Sequence, residues 1–389
     1  MTDQAFGHSV APPAHKVAAE HEAPPVPVAA DSAGAESSAI QLELRDVHVR
    51  YGGTIAVDGV SLALHQGEIG CLVGPSGGGK TSVLRAIAGF EPVAGGAIAL
   101  GGEVASSPGR TLAAQHRAVG MLFQDLALFP HKTVARNIGF GLRGWSRAQA
   151  AARVAALLEL TGLDGLGERY PHELSGGQQQ RTALARAIAP QPTVLLLDEP
   201  FSSQDIERRA QLAQEIGNIL RREQVTALLV THDQHEAFAL ADKMGVLSHG
   251  HLHQWAPPYA LYHEPADLFV ADFIGHGALL PGTIADPPVP NAVDTALGRI
   301  HGSVPDYFRH GDPVYVLVRP DDILHDEGSE RHATVTRRTF RGADFLYRLA
   351  LDGGDEVLCL SPSHNDYAVG TSIGIRLEIR HVVVFPRTR

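Results

Sequence analysis

The chain has 389 residues, 44% of them hydrophobic, and a formal charge of −11 at pH 7. That length can build two domains with ordinary cores. The acidic balance argues against a protein that coats nucleic acid, a task that needs a dense positive surface. Only two cysteines, Cys71 and Cys359, are present, far apart, which excludes a disulfide framework and fits a reducing compartment. The longest apolar stretches, such as 193–197 and 225–230, are strand-sized, well short of the roughly 20 residues that cross a bilayer. The amino terminus shows no basic start followed by an apolar block, so a soluble chain without a signal peptide is expected.

Residues 1–38 are rich in Ala, Pro, His and Ser without an apolar period. The polyproline-like run from Ala23 to Ala29 marks this stretch as a disordered extension. Alternation begins at Ile40, and 41–50 reads as an amphipathic strand. A second strand-like run, 57–64, follows a glycine turn, and 70–73 reads as a buried strand ending in a glycine-rich loop. The stretch 131–189 is helical in character, with Ala- and Leu-rich segments at 148–160 and 176–189. The runs 193–197 and 226–230 are nearly all apolar, as buried parallel strands are. Beyond Gly275, short β-like pieces at 314–318, 333–337, 357–360 and 373–379 are separated by Gly, Pro and Asp turns, which suggests a small β-barrel.

Gly74-Pro75-Ser76-Gly77-Gly78-Gly79-Lys80-Thr81 joins the buried strand to a helix expected near Thr81. Glycines let successive backbone N–H groups point inward as an anion nest, and the helix dipole adds positive potential. Lys80 then reaches the β- and γ-phosphates of a nucleotide, and Thr81 offers its hydroxyl to Mg²⁺; residues 74 to 82, Ser82 included, form the expected nucleotide-binding segment. A plain glycine turn would not explain Lys-Thr in register. Asp198 and Glu199 close a buried strand, where ligands of open α/β sheets gather. Asp198 is placed to hold Mg²⁺ and Glu199 to orient or deprotonate an attacking water. His232 also follows a buried strand, one strand beyond, where an imidazole can bridge the γ-phosphate and the catalytic water.

Leu174-Ser175-Gly176-Gly177-Gln178-Gln179-Gln180-Arg181 opens a helix and, with the motifs above, resembles the signature motif of ATP-binding-cassette (ABC) ATPases. The resemblance implies a P-loop NTPase fold of the α/β class with a helical subdomain at about 125–189, the cassette spanning 39–275. It also implies a homodimer that sandwiches ATP, with Ser175, Gly176, Gly177 and Gln178 completing the site of the opposite subunit. Tyr51 resembles the aromatic that stacks on adenine. Gln124 resembles the loop glutamine that senses Mg²⁺ and takes part in catalysis. Asp205 matches the loop that crosses the dimer interface, although Gln204 stands where the family has an apolar residue, and His235 replaces a commonly acidic position.

The segments 128–142 and 250–265 extend the resemblance to bacterial importers with a carboxyl-terminal accessory domain, a TOBE-like, OB-like β-barrel here at 276–389. Such subunits imply ATP and Mg²⁺ as cofactors, two transmembrane permease subunits, an extracytoplasmic solute-binding protein reached through the permease, and no nucleic acid. They also imply a peripheral location on the cytoplasmic face of the bacterial inner membrane. Residues 340–347 and 361–367 look most similar to the ferric-iron branch; polyamine, sulfate and sugar import stay open as alternatives. A soluble ABC ATPase acting on nucleic acid is disfavoured by the single cassette and the acidic charge. Compatibly with the transport role, the accessory barrel could act as a module that senses an anion, metal or regulatory protein and inhibits the ATPase. His249, His251 and His253 share one strand face by period, but are read as three solvated histidines rather than a metal site. Cys71 is read as a small core residue.

Overall fold

The computed structural model describes residues 39–202, 206–285 and 291–387. The expected extension at 1–38 and the interface loop with Gln204 and Asp205 lie outside the described residues. The first sheet is antiparallel and is led by two long strands, β1 (Ile40–Tyr51) and β2 (Thr54–His65). After β3 (Ile69–Val73) and α1 (Lys80–Ala88), it is extended by β4 (Gly95–Leu100), β5 (Glu103–Ser107) and β6 (Arg110–Thr111), in the order β2-β1-β4-β5-β6.

The second sheet carries the site. It contains β3, β7 (Val119–Leu122), β8 (Val194–Asp198), β9 (Ala227–Thr231), β10 (Lys243–Ser248) and β11 (His251–Ala256), in the order β11-β10-β3-β9-β8-β7. All its pairings are parallel except the β10–β11 hairpin. Strands β3, β8 and β9 read as unbroken apolar runs because both of their faces are covered. Cys71, Val73, Leu195, Leu197 and Leu229 face one cluster. Their alternates Leu72, Leu196, Leu228 and Val230 face α1 and the antiparallel sheet. The first cluster is closed by α4 (Gly176–Ile188), α5 (Ile206–Arg222) and α6 (Gln234–Leu240).

Between β7 and β8 the chain is helical, as expected, with α2 (Val134–Ile138), α3 (Arg147–Leu160) and α4. Ser146 and Ser175 each form a capping box, with Gln149 and Gln178, that starts α3 and α4 where the sequence places them. No helix among the described residues is long and apolar enough to cross a membrane.

Two short helices, α7 (Pro258–His263) and α8 (Leu268–Phe273), lead into the accessory region. There β12 (Ala278–Ile284), β13 (Ala292–Thr295), β14 (Gly298–His301), β15 (Pro313–Val318) and the last strand, β21 (Val383–Pro386), form one antiparallel sheet. The other sheet takes β16 (Ile323–His325), β17 (His332–Phe340), β18 (Asp344–Ala350), β19 (Glu356–Pro362) and β20 (Ser372–Leu377), in the order β16-β20-β17-β18-β19. This sheet curls back on itself: the Leu360 N–H donates to Pro320 O at 3.0 Å and the Cys359 thiol to Ile323 O at 3.1 Å. The result is a nearly closed barrel whose core, with Tyr347 fully buried, also takes side chains from the other sheet.

Candidate functional site

The loop after β3 is shaped by contacts that only glycine allows at two positions. Gly74 has φ +155, and a Cβ there would lie 1.9 Å from the Leu247 carbonyl oxygen of β10. Gly79 has φ +103, and a Cβ there would lie 2.4 Å from Ala56 O of β2. The loop is therefore clamped between two strands before α1 begins at Lys80, one residue earlier than expected. The hairpin that clamps it also carries Tyr51, exposed at the end of β1 and paired with Thr54.

Lys80 is buried, and its ammonium donates to Gly74 O at 2.8 Å and Pro75 O at 2.9 Å. Burial lowers its pKa from the usual lysine value, while the charges of Glu199 and Asp198 pull it back up. The next residue, Thr81, turns its hydroxyl to Asp198 Oδ1 at 3.4 Å. Burial raises the Asp198 carboxyl above the ordinary carboxylate value, the adjacent Glu199 adds to that, and the Thr81 hydrogen bond opposes it. A half-buried anion facing a threonine hydroxyl and a phosphate-type loop is the donor set that suits Mg²⁺.

At Glu199 the backbone turns abruptly, with φ +42, a left-handed conformation that costs a non-glycine residue roughly 1–3 kcal/mol. The turn is held by the Glu199 N–H donating to Val230 O at 3.0 Å and by the Ser202 hydroxyl donating to Glu199 O at 3.0 Å. It brings Glu199 Oε1 to 3.5 Å from His232 Nδ1. The backbone on either side of His232 is held in place: the Thr231 hydroxyl donates to the buried Glu236, and the Asp233 N–H donates to Thr231 Oγ1 at 3.0 Å. Burial raises the Glu236 carboxyl, the first of several opposing influences on it. Sequence reasoning missed Glu236, whose only signal was an acid one helical turn after the histidine.

Lys80, Thr81, Asp198, Glu199 and His232 thus converge at the carboxyl ends of β3, β8 and β9. Gln124 lies two residues beyond β7, the strand paired with β8, and is exposed. Ser175, Gly176, Gly177 and Gln178 are elsewhere, at the start of α4, where Ser175 Oγ accepts from the Gln178 N–H at 3.4 Å. Among the described hydrogen bonds and ion pairs, none joins them to the phosphate loop.

Sequence reasoning also missed how α4 ties these pieces together. The Gln180 amide donates to Pro200 O, beside Glu199. Arg186 donates to Leu126 O at 2.8 Å and Ala127 O at 2.6 Å, in the loop after Gln124, where both residues have positive φ (58 and 44). One helix therefore braces the turn of the candidate base and the glutamine loop.

The histidines of the β10–β11 hairpin go to separate partners. His251 lies 3.5 Å from Asp58, His249 pairs with the Ser248 hydroxyl at 2.9 Å, and His253 bonds Asp267 at 2.7 Å while stacking on Phe269. The expectation of three solvated side chains is corrected for His253, which is 25% exposed, because α8 packs over it. Among the described residues no group of three His, Cys, Asp or Glu is placed to hold a metal ion. Cys71 is buried, and burial pushes its thiol well up, as a core residue's would be.

The ABC transporter family model matches residues 57–202, and the TOBE domain model matches 316–385. The chain is 41% identical to an Fe(3+) ions import ATP-binding protein of Streptomyces coelicolor, over 88% of this chain and 96% of that one. It is 40% identical to a sulfate/thiosulfate import ATP-binding protein of Xanthomonas campestris, over 88% and 99%. It is 39% identical to a spermidine/putrescine import ATP-binding protein of Oleidesulfovibrio alaskensis, over 81% and 86%. Among solved structures, cbiO1 of Clostridium perfringens, part of the ABC transporter complex cbiONQ, matches with a TM-score of 0.53 at 25% identity, over 59% of this chain and 93% of that one. With its phosphate loop, acidic strand end and capped signature helix in place, the chain belongs to the ABC transporter family as an importer-type ATP-binding subunit with a TOBE domain, an ATPase coupled to transport.

Proposed function

We propose that this ATPase energises the import of ferric iron, closing as a homodimer around ATP and reopening after hydrolysis. The observation that carries the catalytic reading is the convergence of Lys80, Thr81, Asp198, Glu199 and His232 at the carboxyl end of the parallel strands β3, β8 and β9. In support of iron, a relative named for Fe(3+) import aligns across both the cassette and the TOBE domain. Sulfate and polyamine importer relatives at 40% and 39% identity keep those solutes as the second reading.

In this reading the N–H groups of residues 74–82 and the Lys80 ammonium receive the phosphates, and Tyr51 stacks on adenine. Thr81, Asp198 and Gln124 would hold Mg²⁺, which when bound would offset the phosphate charge. Glu199 accepts a proton from the attacking water, a contribution of roughly 10²–10⁴ in rate. His232, 3.5 Å from Glu199, keeps that carboxylate oriented and reaches the γ-phosphate. The amino terminus of α4, with Ser175, Gly176, Gly177 and Gln178, completes the site of the partner subunit by its backbone N–H groups and dipole. Asp205 acts at the dimer interface.

Two permease subunits supply the pore, an extracytoplasmic binding protein delivers solute to them, and this subunit sits peripherally on the cytoplasmic face of the inner membrane. An apolar groove of about 640 Å³ between α2 and α3, lined by Phe140, Ala150, Val154 and Leu158, is the surface we assign to a permease loop.

The test is uptake of radiolabelled ferric iron, with sulfate, polyamine and maltose in parallel, in cells carrying either the intact chain or Glu199→Gln. Selective loss of iron uptake in the variant is expected. Loss of a different solute would replace iron by that solute, and unchanged uptake of every solute would overturn the import reading.

A further inference from the structure

The seam between α7–α8 and the accessory sheets holds a cluster of side chains that ATP chemistry does not use. Tyr259 and His263 stand four residues apart on α7, and so share a helix face. His381, just before β21, meets them from the accessory side. Tyr259 Oη lies 3.1 Å from His381 Nε2. Ring centroids are 4.1 Å apart for Tyr259 and His263, and 4.9 Å for His263 and His381.

The separation of the phenol oxygen and the His381 nitrogen suits a shared ion, and the His263 ring lies beside both. Two donors that each lie about 2.1 Å from one metal stand about 3.0–3.4 Å apart at right to tetrahedral angles. The phenol oxygen and the His381 nitrogen already hold that separation. Among the described contacts neither imidazole bonds a carboxylate, whereas Glu264 and Asp321 act on His263 from further off. His263 and His381 also line an open cavity of about 900 Å³, which gives solvent and ions a route to them.

We propose that Tyr259, His263 and His381 form a ferric-ion site that bridges the last helices of the cassette to the accessory domain. The set takes its third donor from tyrosine rather than from a His, Cys or acid. Imidazole suits iron, zinc, copper and nickel. A phenolate, as a hard anionic oxygen, selects Fe³⁺ among them. Binding releases the Tyr259 phenol proton to solvent, and water from the cavity fills the remaining positions. An ion held there fastens the two domains together. The meaning of that clamp as feedback on uptake rests on the iron-import reading, but the site itself does not.

The experiment titrates the full, metal-free chain with ferric nitrilotriacetate, reading the visible tyrosinate-to-iron charge-transfer absorption and, by equilibrium dialysis, bound iron. One saturable equivalent with that absorption is expected. Tyr259 is 62% exposed, so Tyr259→Phe removes one oxygen and leaves the fold intact; it should abolish the absorption. His263→Ala and His381→Ala should each weaken binding at least tenfold. Because the chain has 21 histidines, the comparison with the triple variant carries the test rather than total binding. An absorption that survives Tyr259→Phe, equal binding by the triple variant, or bound Zn²⁺ that iron cannot displace would overturn the ferric site. If the intact chain binds no iron while iron uptake depends on it, this site alone is overturned; if it binds iron at this site while iron uptake does not depend on it, the import reading alone is overturned.

Discussion

Asp198 and Glu199 are consecutive acids, yet the left-handed turn at Glu199 sends their side chains to different tasks. Burial first, and then the charge of Glu199, raises the Asp198 pKa. A carboxyl with a raised pKa keeps its proton to higher pH, so Mg²⁺-dependent ATP binding should fade as pH falls through that raised value. Glu199→Gln removes one of the two raising influences and leaves burial in place. The acid limb of Mg²⁺-dependent ATP affinity should therefore move to lower pH in the variant, which a fluorescent-nucleotide titration across the acid range would read; an unmoved limb would contradict the charge coupling. The glycines allow a second comparison. Gly74→Ala drives a Cβ into Leu247 O, whereas a Cβ at Gly77 meets open space despite its φ of +79. Gly77→Ala should cost only backbone strain, about 1–2 kcal/mol. Gly74→Ala should cost distinctly more and lose ATP binding, as thermal melts and nucleotide titration would show. The phosphate loop was legible because its chemistry needs particular residues at fixed spacing. Glu236 was not, because what makes it matter, a hydrogen bond from Thr231 in a buried turn, depends on how α6 packs.

At the scale of elements, α4 does more than its amino terminus announces. The Ser175–Gln178 box was readable, since a capping box is local. Its other links were not, because Gln180 and Arg186 bond backbone carbonyls, and every residue carries one. Arg186 holds Leu126 and Ala127 in positive φ, a conformation that would relax without the two bonds. Burial lowers the Arg186 pKa, so its charge is held at some cost and is repaid by those carbonyls and by Asp125. Arg186→Met should lower stability by about 1.5–3 kcal/mol, the range for hydrogen bonds to a charged group. It should also raise amide exchange selectively at 124–129. Protection unchanged in that loop would mean that α4 does not brace it. Similar arithmetic explains the buried strands. Cys71, Leu196 and Leu229 were recognisable as core from their apolar runs, whereas the choice of face followed only from where α1 and α4 lie.

Across the whole molecule, the accessory domain is where the sequence was least explicit. Four strand-like pieces were visible, but β13, β14 and β16 are three or four residues long, and their pairing partners lie elsewhere in the chain. Period-two alternation over so few residues carries little signal; register comes from tertiary pairing. The joint between domains was equally hidden, since one buried arginine makes three of its hydrogen bonds. Arg319 is 4% exposed and leaves β15 to donate to Ala271 O and Gly275 O at 2.9 Å and to Tyr262 O at 3.1 Å. Its guanidinium also stands 4.4 Å from the centre of the Tyr262 ring, whose hydroxyl donates to Asp321 at 2.8 Å. Burial raises the Tyr262 pKa beyond any physiological range, so the ring stays neutral beneath the cation. Arg319→Met keeps much of the side-chain volume but strands three carbonyls, so about 3 kcal/mol or more should be lost at the seam. Because the cassette and the accessory sheets keep separate cores, the loss should uncouple them rather than unfold both. Calorimetry should show the accessory domain melting earlier and apart from the cassette, with ATP binding retained at the lower transition. A single transition at the original temperature would mean that the seam is held by its apolar contacts, and that Arg319 is not what joins the two halves.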